Sequence, residues 1–553
     1  MLHRVLIQRS RPQCEVCRLL GALAPVMGFP VHAEVHNRLR RSCRRSSWDL
    51  QFRNSEILIS SWWNGKRTRA LLARLKGEQR LEQRVFWESS SGVKHNWISR
   101  YICRCMWPDT LLEEEVTVKI AFLPACGPGH LNPMTALARA TQARGHEVVV
   151  ISTLDAEPFV HAAELSFLPV CERDSPRGSI NAAFQRLGNL QGDQAMAFTF
   201  WLIANSVQST FRDLPRLLKT QAIDAVVIDE IQSELGLVPR HLGLPYANAS
   251  CALHFDMSGN TPLCVHDWSH SNTPEALARN RQGVQRLQQT IKFGNAAGKA
   301  YAEKVGLDID WSDPLATISK LAWVTQAPKE FDFDGAVWPH QFHHTGPFHD
   351  GGGRIPSEFP WDRLTGEPLV YASMGTLQNG IEDVFTAIAE AVNRKPNVQL
   401  VISIGTNIDA TRIGGLRDNT VVVTRAPQIE ILKRAALCIT HAGLNTVLET
   451  LAKGVPIVAI PVTNDQPGVA ARVAHTATGK FVPVQQLTSE RLSVLVDEVL
   501  ENPVYRENAL RLSKAIIGRN GLQYAVDLIE RAFGIATETT STIGRNDREV
   551  VCQ

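Results

Sequence analysis

The sequence predicts an α/β protein made of two doubly wound parallel-sheet halves behind a basic extension. Three observations predict it. From Val116 onward, short apolar runs alternate with helical patterns, the rhythm of β-α-β units. That rhythm stops at a glycine- and proline-rich stretch near residue 350 and then begins again. The first 115 residues differ from the rest. They carry 17 Arg and 3 Lys against 11 acidic residues, a formal charge of +9, whereas the remaining 438 carry 38 basic against 44 acidic, −6.

Overall composition narrows the class. The chain has 553 residues, of which 44% are hydrophobic and 20% charged. That excludes a wholly disordered, collagen-like or coiled-coil protein. The net charge of +3 gives no general reason to bind nucleic acid. Apolar runs stay well short of the roughly 18 residues a membrane-spanning helix needs. The longest, Ala195 to Ala204, is interrupted by Thr199.

Residues 1–115 show no sustained period of 2 or 3.6 and hold 5 of the 11 Cys and 6 of the 12 Trp. They are expected to form a low-order, disordered basic extension rather than a functional domain, the product of an over-long translation start. Cys14 and Cys17 form one CxxC and Cys103 and Cys105 lie two apart. No second pair at zinc spacing completes a site, so unpaired thiols are expected. Pro25 and Pro30 interrupt the apolar run after Arg18, which argues against a cleavable signal.

Residues 116–345 read as a first Rossmann-like half. Val118 to Leu123 is a strand, Pro124 to Gly129 a turn, and Asn132-Pro133 is expected to open a helix ended by Gly145. Val148 to Ile151, Ala222 to Asp229 and Leu244 to Asn248 are further strands. The glycines do not make a GxGxxG, so dinucleotide binding is not indicated. Ligands of such sheets sit at the carboxyl ends of the strands. His130 and Asp229 both fall there. A histidine held by a carboxylate is a general-base pair, the acid fixing the tautomer and stabilising the imidazolium.

Residues 346–367 read as a linker and 368–520 as the second Rossmann-like half. Strands are expected at Pro368 to Ser373, Val398 to Ile404, Val421 to Val423, Leu437 to Thr440 and Ile457 to Pro461, with helices over Glu382 to Val392 and from Pro427. Polar residues concentrate at 425–466. A glycine turn before a helix offers free N–H groups and the positive end of the helix dipole, which suits a phosphate. His441, Gly443, Asn445 and Thr446 lie in that turn. Glu449, one turn on, can accept from two vicinal hydroxyls. Asp465 and Gln466, after the next strand, can read sugar hydroxyls. Each alone has an ordinary structural role as cap, turn or solvated residue; their order and spacing raise the functional reading.

Arg425-Ala426-Pro427-Gln428, then His441 to Thr446, Glu449, Gly454-Val455-Pro456, Pro461 and Asp465-Gln466 resemble the nucleotide-sugar signature of family 1 UDP-glycosyltransferases. Gly129-His130-Leu131-Asn132-Pro133 resembles the same family's catalytic-histidine segment. The resemblance spans about residues 117–535, and Asp465 to Arg472 looks most like the family's bacterial zeaxanthin glucosyltransferase branch. It implies a GT-B fold, two Rossmann-like domains facing a central cleft, with the acceptor on the first half and the donor on the second. It implies an inverting hexosyltransferase with His130 as base and Asp229 as its partner. His441, Asn445 and Thr446 would hold the diphosphate, with Gly443, Gly375 and Thr376 nearby. Arg425, Ala426 and Gln428 would lie at the nucleotide, Glu449 at the ribose, and Asp465 and Gln466 at the transferred sugar. Arg425 departs from the aromatic residue common there, which leaves the base preference open. The co-substrate would be a UDP-sugar, with no cofactor and no metal. Asp308-Ile309-Asp310 and Asp332-Phe333-Asp334 are read as chance DxD strings.

The acceptor is expected to be a lipophilic hydroxylated molecule, a carotenoid such as zeaxanthin, with Phe198 to Phe211, Phe255 and Met257 as pocket or as ordinary core. A macrolide or other natural product is the near alternative. A nucleotide-sugar isomerase and a non-catalytic binding module are the alternatives from other classes. Residues 521–536, with apolar spacing over Leu522 to Phe533, are expected to pack back across the domains, and 537–553 to form a disordered tail. A cytoplasmic location is expected, with peripheral contact at the inner membrane face.

Overall fold

A computed structural model describes residues 117–190, 192–294, 296–376, 380–406 and 408–535, together with five short strands before them. Those are β1 (His3–Val5), β2 (Leu50–Arg53), β3 (Glu56–Ser60), β4 (Arg69–Arg74) and β5 (Val85–Trp87), paired antiparallel in that order. The remaining positions up to 116, including the cysteine pairs, lie outside the described residues, as does the expected tail at 537–553. Residues 1–114 and 115–553 form separate units.

The larger unit contains two parallel sheets. The first has seven strands, β6 (Lys119–Leu123), β7 (Glu147–Ser152), β8 (Ser166–Pro169), β9 (Ala225–Asp229), β10 (Tyr246–Ser250), β11 (Trp323–Thr325) and β12 (Phe342–His344), in the order β12-β11-β10-β9-β6-β7-β8. The second has six, β13 (Leu369–Ser373), β14 (Gln399–Ser403), β15 (Val421–Val423), β16 (Ala435–Thr440), β17 (Ile457–Ala459) and β18 (Gly479–Phe481), in the order β15-β14-β13-β16-β17-β18. Strand order reverses between β6 and β9 in one sheet and between β13 and β16 in the other. Doubly wound sheets open a ligand crevice at such a switch point.

The strands read as continuous apolar runs because both faces are covered. On one face, Ile120, Phe122, Val148 and Val150 pack against Met134 and Leu137 of α1 (Pro128–Gln142). On the other, Ala121, Leu123, Val149 and Ile151 meet Val207, Phe211 and Leu214 of α4 (Gly192–Thr220). Between α1 and α4 run α2 (Glu157–Ala162) and α3 (Ser179–Gly188); α5 (Leu237–Leu242), α6 (Pro274–Gly294) and α7 (Ala296–Val305) complete this half. The second half carries α8 (Glu382–Asn393), α9 (Gln428–Leu432), α10 (Leu444–Ala452), α11 (Gln466–His475), α12 (Ser489–Glu501), α13 (Pro503–Arg519) and α14 (Gly521–Phe533). Helix α14 packs on the first half. Leu522, Val526, Ile529 and Phe533 join the core beside α1, and Arg144 binds Asp527 at 2.6 Å.

The strands expected from the sequence fall within three residues of those observed, β8, β11, β12 and β18 were not expected, and helix α1 starts elsewhere than expected. It begins at Pro128 rather than at Asn132-Pro133, so Pro133 lies inside it and His130 in its first turn. Pro128 takes the first-turn position where a missing N–H costs nothing.

The two halves meet through an apolar seam and a buried ion network. Leu253, Cys264, Ala327 and Phe331 of the first half share a cluster with Val447, Leu448, Val469 and Ala470 of the second. Beside it, Arg472 Nε donates to Asp332 Oδ1 at 2.7 Å, and His254 Nε2 lies 2.8 Å from Oδ2. Burial opposes charge on Asp332. Arg472, then His254 and His344, more than offset it and hold the carboxyl well below the usual carboxylate range. The second DxD string is thus committed to an ion pair. Replacing Asp332 by Asn leaves a buried guanidinium without its counter-charge. The variant should lose about 3–5 kcal/mol of stability, measured by chemical denaturation of the full chain.

Candidate functional site

Both switch points carry the residues that the sequence singles out. At the first, Asp229 ends β9 and His130 stands in the opening turn of α1, directly after β6. His130 Nδ1 lies 2.8 Å from Asp229 Oδ2. Asp229 is 0% exposed. The backbone N–H groups of Ala125, at 3.3 Å, and Ile231, at 3.4 Å, also donate to it. A carboxylate so held orients the imidazole by engaging its Nδ1. Burial works against an imidazolium here. The Asp229 charge and hydrogen bond, with smaller contributions from Asp465 and Glu230, outweigh it and raise His130 above its usual value.

Two further groups crowd this pair, and neither carried a sequence signal. Glu230 is buried, bonded to the Ser250 hydroxyl, and shifted upward by desolvation. Cys251 brings its sulfur within 4.8 Å of the His130 and Asp229 ligand atoms. That trio could in principle face a metal ion. Burial first, and then the Asp229 and Glu230 charges, push the thiol well above its ordinary value, which disfavours the thiolate a metal would need.

At the second switch point, Gly375 follows β13 and His441 follows β16. The imidazole of His441 is wedged between two glycines. A Cβ on Gly375 would fall 2.5 Å from His441 Cε1, and one on Gly443 2.5 Å from Nε2. Gly375 also has φ +75°, backbone that side chains rarely adopt. Burial pushes His441 down to about 4, against a hydrogen bond to the Ser373 backbone that acts the other way. It is therefore a neutral donor at pH 7, beside the N-terminus of α10. Gly443 caps that helix and its first turn holds no acid. Neutral donors and free N–H groups make an anion seat. Thr376 is exposed on the turn after Gly375, and Arg425 and Ala426 lie on the turn after β15, Arg425 exposed.

The other second-half residues are tied into networks. Gln428 accepts from Tyr371 Oη at 3.1 Å and donates to Glu449 Oε2 at 2.7 Å and to Thr446 Oγ1 at 3.3 Å. It holds Glu449 in position. Asn445 bridges the halves. Its Nδ2 donates to Gly129 O at 2.7 Å and its Oδ1 accepts from Gln326 Nε2 at 2.7 Å. Asp465 precedes α11 and accepts from Leu253 N of the first half at 2.9 Å. Burial raises its pKa, while His130 acts to lower it. Gln466 Oε1 accepts from Val462 N and Thr463 N, at 2.8 and 3.1 Å. Sequence reasoning missed Gln326, and also Arg354, which pairs with Glu449. Both lie outside the motif runs and had no local signal.

Two parallel α/β halves, one bearing a histidine–carboxylate pair and the other an anion seat, define the GT-B class of glycosyl-transferring enzymes. A family model described as UDP-glucoronosyl and UDP-glucosyl transferase matches residues 362–521. An NDP-glycosyltransferase of Bacillus licheniformis is 30% identical over 404 residues, covering 73% of this chain and 94% of its own. A zeaxanthin glucosyltransferase of Pantoea ananas is 26% identical over 406 residues, covering 73% and 93%. The solved glycotransferase of kitacinnamycin superposes with a TM-score of 0.59 at 22% identity, over 75% of this chain and 99% of its own. The chain belongs to the UDP-glucoronosyl and UDP-glucosyl transferase family and is a glycosyltransferase. Among the described residues, no helix is long and apolar enough to cross a membrane.

The glycine sandwich makes a testable demand. Gly375→Ala adds a methyl where His441 already stands and strains a left-handed backbone. Binding of uridine diphosphate, followed by calorimetry, should weaken about tenfold or more, equivalent to about 1.4 kcal/mol.

Proposed function

We propose that this enzyme is an inverting hexosyltransferase that moves glucose from UDP-glucose to a hydroxyl of a lipophilic small molecule, a carotenoid such as zeaxanthin. The observation that carries the reading is the 2.8 Å His130–Asp229 pair at the first switch point, with Asp465 of the second half close enough to affect His130 electrostatically. Such a pair removes a proton from an acceptor oxygen next to a bound sugar. The likeness to a relative named as a zeaxanthin glucosyltransferase supports the acceptor class.

The chemistry follows from the tautomer. With Nδ1 engaged by Asp229, Nε2 takes the acceptor hydroxyl proton as the oxygen attacks the anomeric carbon. The bond from that carbon to the diphosphate oxygen breaks, and the electron pair leaves with the nucleotide. Asp229 stabilises the new imidazolium. The N–H groups at α10 and neutral His441 stabilise the leaving diphosphate. Glu449 holds the ribose, and Asp465 and Gln466 the sugar hydroxyls. No metal or cofactor enters this scheme. Phe200, Phe255 and Met257 pack around Leu263, Val284 and Leu287. Trp201 on α4 is 56% exposed and stacks on Phe198 at 5.6 Å. These apolar groups suit a lipophilic acceptor and a cytoplasmic enzyme that meets it at a membrane face.

The assay is acceptor-dependent release of UDP with formation of a glucoside, using UDP-glucose and a hydroxycarotenoid. His130→Ala should lower turnover by about 10²–10⁴-fold while UDP still binds. Undiminished turnover in that variant would remove His130 from its role. Rearrangement of the donor without acceptor and without net addition of water would favour an isomerase.

The pH profile offers a second check. The base must be unprotonated, and Asp229 raises its pKa above the ordinary 6.5. Activity should therefore climb with pH through a value above 6.5. In Asp229→Asn the raising charge is gone and burial remains, so the acid limb should move to lower pH while the plateau rate falls.

A further inference from the structure

The segment joining the halves lays Arg354 on the carboxylate proposed for the ribose. Its guanidinium meets Glu449 fork to fork. Nη1 lies 3.3 Å from Oε2, and Nη2 donates to Oε1. Glu449 is 3% exposed and Arg354 32%. The pocket lined by Asn132, Gln326, His349, Arg354, Asn445 and Glu449 has a volume of about 10 Å³, room for no more than a water molecule. Small-molecule sites usually hold roughly 300–1,000 Å³. With Arg354 in place, both Glu449 oxygens are already engaged and a nucleotide lacks room.

The neighbouring backbone is suited to moving this residue. Gly351, Gly352 and Gly353 precede it, with φ +82° at Gly351 and +67° at Gly353. Glycine reaches such conformations and leaves them at little cost. Just before them, Asp350 is held by Arg139 at 3.5 Å. Next to that anchor, His349 lines the same pocket, and its Nε2 is buried without a hydrogen-bond partner. A buried nitrogen of that kind is normally satisfied, and a hydroxyl of an entering nucleotide would satisfy it.

We propose that Arg354 sets donor affinity by exchange: it occupies Glu449 in the free enzyme and gives way to the ribose hydroxyls when the nucleotide-sugar enters. This rests on Glu449 as the ribose ligand. Arg354 is partly solvated and can pair with water as it leaves, but the buried Glu449 carboxylate needs replacement donors. The incoming hydroxyls restore two donors to the carboxylate.

Calorimetry with UDP on the full-length chain tests it. Glu449→Gln should weaken UDP binding. Arg354→Ala and Arg354→Gln should each tighten it about threefold to tenfold, and the gain should vanish in the Arg354→Ala/Glu449→Gln double variant. Inorganic pyrophosphate, which lacks a ribose, should show no gain. Weaker or unchanged UDP binding in both Arg354 variants would overturn the exchange and leave the ribose assignment standing. Unchanged UDP binding in Glu449→Gln would remove the ribose assignment, and the exchange with it.

Discussion

A guanidinium in a protein interior must be paired, and that requirement fixes how the two halves meet. Arg472 is 1% exposed and its counter-charge, Asp332, comes from the other half. Its second donor satisfies Gly468 O at 3.1 Å, and its plane lies 4.2 Å from the centre of the Phe333 ring. Asp465 stands at the N-cap of α11, seven residues and about two turns before Arg472, and so near the same face. Pairing Arg472 with the first half therefore also aims Asp465 at the first half, where it accepts from Leu253 N and lies in the field of His130. One buried pair thus orients Asp465, the carboxylate proposed for the sugar, toward His130, the proposed base.

A second coupling arises from a proline. Residue 133 of α1 would ordinarily donate its N–H to the carbonyl of Gly129, four residues back. Pro133 has none. The Gly129 carbonyl instead accepts from Asn445 of the second half at 2.7 Å. The gap in the helix ladder lies next to His130, so the turn that opens α10 in one half is bonded to the turn carrying His130 in the other.

The parallel-sheet halves were legible because strand runs and glycine turns are local signals. Asp229 was placed correctly at a strand end and His130 at a helix start, and the strand order that makes this a switch point appears only in the assembled sheet. The start of α1 was misjudged because Asn132-Pro133 mimics a helix opening, and a proline beyond the first turn is tolerated only when something else uses the freed carbonyl. Asn445 reads in sequence as a phosphate donor. Its bonds to Gly129 and Gln326 depend on residues more than a hundred positions away. Arg354 was illegible for the same reason, since its partner Glu449 lies on another element and nothing near it forms a motif. Of the low-order extension expected at 1–115, the structure describes only the short strands β1 to β5.

The charge balance across the cleft follows from these constraints. On the first half, carboxylates gather around His130, and an imidazolium formed there is stabilised by Asp229 directly and by Glu230 and Asp465 at longer range. On the second, His441 is kept neutral by burial between two glycines, and the start of α10 presents peptide dipoles. Such an anion seat gains strength as the site excludes water, because dipoles held in low dielectric cost no reorganisation when charge develops. Proton acceptance on one side and leaving-group charge on the other thus grow in environments built separately for each. The proposed transfer moves a proton one way and an electron pair the other, and the Asn445–Gly129 bond ties together the turns that carry His441 and His130.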